Sequence, residues 1–215
     1  MNQAFRIFCA ALLLALPVQA GGGADPVLKK GQRVAVVGDS ITEQKLYSRY
    51  MELYLLACLP ELDLKVIQLG WSGETASGFV GRMNNDLLPW KPDVVTTCYG
   101  MNDGGYRAWT DDIGKRYGTA MTEIVARLKK AGVTVVVGSP GAVDTQFFKR
   151  PNLTAATYNA TLAGLRDVSK KLAEEQGFPF ANVIDAMNSA QEKAKAALGE
   201  GYDVCGKDGF HPGPN

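Results

Sequence analysis

The sequence predicts an α/β fold built on a five-stranded parallel sheet with helices on both faces. Three observations carry that expectation: five short runs rich in valine and isoleucine, a helical pattern after each, and polar, glycine-containing clusters where most of the runs end. Near-continuous apolar strands belong to sheets buried on both faces, and strand–helix alternation belongs to parallel connections.

"RVAVVG" (33–38) is the first strand run, followed by a helical stretch from about Glu43 to Cys58 with Leu46, Tyr50, Leu53 and Tyr54 at helical spacing. "LKVIQLG" (64–70) precedes a weaker helix near 77–88. "PDVVTTCYG" (92–100) precedes a helix from about Asp112 to Ala131, which Gly132 ends. "VTVVVGSP" (133–140) leads into a long loop and a helix from about Thr154 to Gln176. "FANVIDA" (180–186) reads as the fifth strand, before a last helix to about Leu198. There are no internal repeats and no low-complexity linker.

Residues 1–20 read as a secretory signal peptide: Arg6 supplies the positive start, "IFCAALLLALP" the apolar core, and "VQA" the cleavage site. The apolar core is too short to span a bilayer, so a secreted or periplasmic location is expected, with no stable membrane insertion. Removing the leader takes away Arg6 and no acid, leaving 22 basic against 22 acidic residues. That neutrality speaks against nucleic acid or an anionic membrane as partner. Residues 21–215 then form one domain. Cys58, Cys98 and Cys205 have neither zinc nor redox spacing and are expected as three buried thiols, Cys98 in the core.

In parallel sheets, functional residues collect at the carboxyl ends of the strands. Gly38-Asp39-Ser40 follows the first strand; Ser40 is either a helix cap or a nucleophile. A serine hydroxyl needs a base, and His211 is the one histidine of the chain. Asp208 lies three residues before it in "DGFHP", within reach of Nδ1, so that Nε2 would face outward. Asp39, Asp103 and Asp185 compete as orienting carboxylates, with Asp208 favoured by its spacing. Oxyanion donors would come from the backbone of Gly73 in "LGWSGETASG" and the side chain of Asn102 in "YGMNDGGY". Each piece alone has a bland reading as a turn or cap; four pieces at strand ends and near the chain's end do not.

The set "GDS", "GWSGET", "GMND" and "DGFHP", in that order, resembles the SGNH (GDSL-type) hydrolase family across essentially the whole chain after the leader. The resemblance implies a flavodoxin-like three-layer α/β/α sandwich. It also implies Ser40 as nucleophile, His211 as base, Asp208 as orienter, and an oxyanion hole of the Ser40 N–H, Gly73 N–H and Asn102 amide. No metal or cofactor is implied. Two departures stand out: Ile41 replaces the leucine of the family's name, and the chain stops at Asn215, so the family's C-terminal helix is expected to be missing.

The loops "GYRAWTDD" (105–112) and "GAVDTQFFKR" (141–150) mix aromatic and polar residues as a saccharide site would, although Tyr106, Trp109 and Phe147 read equally as packing anchors. With no lid-like apolar insertion, a small-molecule or saccharide ester with a short acyl group, acetyl foremost, is the expected substrate. A lysophospholipase or thioesterase, or a non-catalytic glycan-binding module of the same fold, remain open alternatives. "VGSPG" (137–141) lacks the first glycine of an α/β-hydrolase nucleophile turn. The first strand is not followed by G-x-G-x-x-G, and a single histidine supplies a metal poorly.

Overall fold

The computed structural model describes residues 27–213; the leader expected at 1–20 lies outside them. Five strands, β1 (Arg33–Gly38), β2 (Lys65–Gly70), β3 (Val94–Cys98), β4 (Thr134–Gly138) and β5 (Phe180–Ala181), form one sheet in the order β2-β1-β3-β4-β5. All pairings are parallel, and helices flank the sheet on both sides.

One face carries Ala35, Val37, Val95, Val135 and Val137, packed under α3 (Ala76–Asp86), α4 (Asp111–Lys130) and α5 (Ala155–Gln176). Alternation along each strand puts these residues on one side. Phe79, Met83, Ile113, Tyr117, Ile124, Leu128 and Leu165 complete this core. Thr75, Thr110 and Thr154 cap the three helices through their side-chain oxygens, satisfying N–H groups that have no helical acceptor.

The first helical stretch is broken where continuity was expected. A single turn, α1 (Ser40–Glu43), is separated from α2 (Tyr47–Cys58) by Lys45 in the left-handed region. The apolar spacing in α2 also does not face a core: Tyr50, Leu53 and Tyr54 are 63%, 62% and 60% exposed. A polar contact seats the helix on the other sheet face instead. Ser48 donates to Gln68 Oε1 (2.8 Å), and the Gln68 amide donates to Glu52. Beside it the row Val36, Thr96, Val136 runs in register across the sheet, Thr96 and Val136 only half-buried.

The fifth strand is two residues long, not seven. Asn182 ends it and caps α6 (Val183–Leu198), while Ser139 Oγ accepts the Val183 and Ile184 N–H groups (2.9 and 3.1 Å). Side-chain oxygens at both places thus take N–H groups that a longer strand would have paired. Cys58, Cys98 and Cys205 are free thiols. Cys205 is buried as expected, but Cys98 is half-buried and Cys58 is exposed, at the end of the uncovered α2. Among the described residues no helix is long and apolar enough to cross a membrane.

Candidate active site

Strand order reverses at β1: the chain leaves it toward β2 on one side and returns to β3 on the other. The crevice at such a switch point is where parallel sheets bind ligands. Ser40 follows β1 and Asn102 follows β3, so the two stand on either side of it.

Gly38 is required by space. Its φ is not left-handed, but an added Cβ would overlap Thr42 Oγ1 and come 2.8 Å from Cys98 O. With no side chain there, α1 folds directly over the strand end. Asp39, not Ser40, caps that turn, its Oδ1 accepting the Ile41 N–H at 3.0 Å. The Ser40 hydroxyl is thereby left for His211, whose Nε2 lies 2.7 Å from Ser40 Oγ across 171 residues of sequence.

Asp208 holds the imidazole from behind. Its Oδ2 is 2.6 Å from His211 Nδ1, and its Oδ1 accepts the Phe210 and His211 N–H groups at 3.1 and 3.0 Å. Burial alone would raise this carboxyl, but the His211 ring and the two N–H bonds outweigh it and bring it below the ordinary range. The loop bearing both residues is clasped by the β4–α5 loop. Asp144 N–H donates to Gly209 O (2.8 Å), and the Cys205 thiol donates to Ala142 O (3.4 Å). Asp144 is itself fully buried and paired with Lys195 at 2.9 Å.

On the opposite wall, Asn102 Nδ2 donates to Glu74 O (2.9 Å), and the Tyr106 hydroxyl donates to Asn102 Oδ1 (3.2 Å). Together they orient the amide and leave its second N–H for a ligand. Glu74 is pinned by the two-pronged Arg82 guanidinium (2.5 and 2.6 Å) and the Tyr99 hydroxyl (2.8 Å). Gly73 has the positive φ of +72° that its turn demands, and the turn joins β1 through Trp71 N–H to Gly38 O (3.0 Å). Among the described residues, the backbone N–H groups of Ser40 and Gly73 have no acceptor.

The rival carboxylates are engaged elsewhere. Asp103 accepts the Ala76 N–H (2.9 Å), and burial pushes its carboxyl up to about 7. Burial likewise raises Asp39 to about 6, with the Ile41 N–H and His211 opposing. Asp185 lies in the first turn of α6, not at a strand end, and pairs with Arg166 at 2.9 Å.

Trp109 is a packing anchor, lodged where a Cβ on Gly114 or Gly164 would strike its ring. Tyr106 does reach the site, in an aromatic cluster that the sequence reading missed. It stacks on Tyr158 (5.1 Å), Phe148 stacks on Tyr158 (5.6 Å), and Phe210 meets both Tyr106 and Phe148 at an angle. Glu74, Phe148, Arg150 and Phe210 were likewise passed over, although "GWSGET", "FFKR" and "DGFHP" contain them. A concavity of about 1210 Å³ between α3 and α4 reaches Asn102 and Asp103 but not Ser40 or His211. No cluster of three or more His, Cys, Asp or Glu suited to a metal stands among the described residues.

Residues 36–215 match the profile of the GDSL-like Lipase/Acylhydrolase family. Over 88 residues the chain is 31% identical to acetylxylan esterase of Geobacillus stearothermophilus, an overlap of 34% of this chain and 40% of that protein. It thus spans about two fifths of the length of that curated relative. Among solved structures, the acetylxylan esterase of the same organism gives a TM-score of 0.69 at 22% identity, over 88% of this chain and 90% of that one. A gut microbial diltiazem-metabolizing enzyme gives 0.75 at 22% identity, over 88% of this chain and 44% of its own. An α/β hydrolase from the metagenome of Lake Arreo, Spain, gives 0.69 at 22% identity, over 86% and 89%. At such identities the likeness is one of fold.

Proposed function

This chain belongs to the GDSL-like lipase/acylhydrolase family, and from that premise we propose that it is a serine esterase removing acetyl or another short acyl group from a saccharide. The observation that carries this reading is the 2.7 Å contact of Ser40 Oγ with His211 Nε2, backed by Asp208 at 2.6 Å from Nδ1. With Nδ1–H donated to the carboxylate, Nε2 is the lone-pair nitrogen and accepts the serine proton.

In the proposed mechanism Ser40 attacks the ester carbonyl as His211 takes its proton. The oxyanion is received by the Ser40 and Gly73 N–H groups and the second N–H of the Asn102 amide. His211 returns the proton to the departing alcohol, leaving an acyl-serine. Water, deprotonated by the same imidazole, then releases the acid and restores Ser40. None of these steps calls on a metal or cofactor. The acetyl and saccharide parts are supported by the resemblance to acetylxylan esterase. A leader at residues 1–20 would make the enzyme secreted or periplasmic.

Hydrolysis of p-nitrophenyl acetate by the wild type and a Ser40→Ala variant tests the serine mechanism, and equal rates would end it. Rates on p-nitrophenyl octanoate and on acetylated xylo-oligosaccharides test the acyl and alcohol parts. Faster octanoate cleavage, with no saccharide turnover, would replace this substrate class by a longer-chain one.

A further inference from the structure

Arg150 lies late in the β4–α5 loop, where it forms an isolated bridge with Leu153. Its guanidinium carbon lies 4.8 Å from the Tyr106 ring centroid, 5.1 Å from Phe210 and 5.9 Å from Phe148. Two of these rings connect to the reacting groups. Tyr106 donates to Asn102 on one wall, and Phe210 precedes His211 on the other, the two rings 4.3 Å apart. Arg150 therefore stands between the oxyanion side and the base side of the crevice, although its sequence position gives no hint of this.

Among the described residues no carboxylate pairs with Arg150, although its guanidinium also reaches the Tyr106 hydroxyl. Asp208, beside the same rings, gives both oxygens to Phe210 and His211. A guanidinium lying against aromatic faces keeps its charge and its planar fork of donors while losing much of the freedom of a long side chain. Such an arm is prepared for a planar, two-oxygen anion, which it grips through parallel N–H bonds.

We propose that Arg150 forms a carboxylate-recognition subsite of this active site, selecting esters whose alcohol carries a carboxylate near the acylated hydroxyl. Resting on the esterase reading above, the saccharide form of that substrate is an acetylated sugar acid unit. The aromatic cluster has a double task in this arrangement. Tyr106 fixes the Asn102 amide while its ring face holds the arginine, so the group that recognises the alcohol and the group that receives the oxyanion share one support.

The test compares kcat/KM for 3-acetoxybenzoate and phenyl acetate, which present the same aryl acetate with and without a carboxylate, in wild type and Arg150→Gln. The wild type is expected to favour the charged ester. In Arg150→Gln the charged-to-neutral ratio falls at least 10-fold, chiefly through KM, and Arg150→Lys recovers it in part. A wild-type ratio that drops with added salt is also expected. A ratio unaltered by the substitution, or equal losses on both esters, overturns the proposal, since a purely structural arginine would produce the latter. A second pair, acetylated oligogalacturonate and acetylated xylo-oligosaccharide, separates the two readings. If neither saccharide is cleaved while the aryl ratio still depends on Arg150, the saccharide assignment falls and the subsite stands.

Discussion

Gly209 rests against the backbone of Phe148 with no room for a side chain: an added Cβ would overlap Phe148 N and Cα. Its φ of +82° closes the position to other residues as well. Gly209→Ala is therefore expected to shift the Asp208–His211 loop off Ser40. Misplacement by about 1 Å costs on the order of 100-fold in turnover. Kinetics on p-nitrophenyl acetate beside circular dichroism would check this, and near-wild-type turnover in the folded variant would show that the loop can relocate.

Asn102→Ala removes the one side-chain donor of the proposed oxyanion hole, and kcat is expected to fall by about 100- to 1000-fold. Tyr106→Phe keeps the ring but releases Asn102 Oδ1, so a smaller loss, about 10-fold or less, should appear in kcat with KM little changed. Steady-state kinetics on one activated ester measures both. A Tyr106→Phe loss as large as that of Asn102→Ala would mean that the hydroxyl acts directly.

Asp208→Asn leaves the size of the side chain but reverses the hydrogen-bond demand on Nδ1, steering the proton to Nε2 and away from its acceptor role. A loss on the order of 10⁴ in kcat is expected, as in other serine triads. Because Asp208 is held below the ordinary carboxylate range, it stays ionised across the working pH. The acidic limb of the activity profile should therefore not report its titration. A rate profile from pH 4 to 9 gives the answer.

Asp103 carries a stability signature of the opposite sign. Burial raises its carboxyl from 3.8 to about 7, the Ala76 N–H partly opposing. The folded chain then holds this proton more tightly than the unfolded chain. Stability from this group is kept below about pH 4, declines as pH climbs, and is fully lost above about 7. Asp39, raised to about 6, adds to the same decline over a narrower window. Asp208 acts in the other direction, but only at lower pH. Asp103→Asn, which preserves an acceptor for the Ala76 N–H, should flatten the decline and gain up to a few kcal/mol at pH 8. Urea melts at pH 5 and pH 8 decide it; an unchanged pH slope would mean that Asp103 is hydrated.

How much of this was legible beforehand depended on whether the signal was local. The end of β1 was plain, because an apolar run meets Gly-Asp-Ser at once. The partner of Ser40 was legible across 171 residues only because there is a single histidine to choose. The fifth strand was overextended because "FANVIDA" is apolar enough for either structure, and the deciding hydroxyl, Ser139, lies more than forty residues earlier. In α2 the periodic tyrosines and leucine suggested a buried face, but the helix is seated by Ser48 and Glu52 on Gln68. The cluster of Tyr106, Phe148, Arg150 and Phe210 left no trace in spacing at all. Three separate loops bring it together, and only the folded chain makes them neighbours.

Gly38, Gly70 and Gly138 end three strands of the sheet, and in each case an added Cβ would collide with atoms of a neighbouring segment, backbone atoms among them. These positions cannot drift, so heritable change in substrate range is channelled into the loops above them. A directed-evolution library aimed at the strand ends would return mostly dead clones. One spread over the exposed Thr145, Gln146, Lys149 and Arg150 would explore new specificities while the chemistry beneath stays intact.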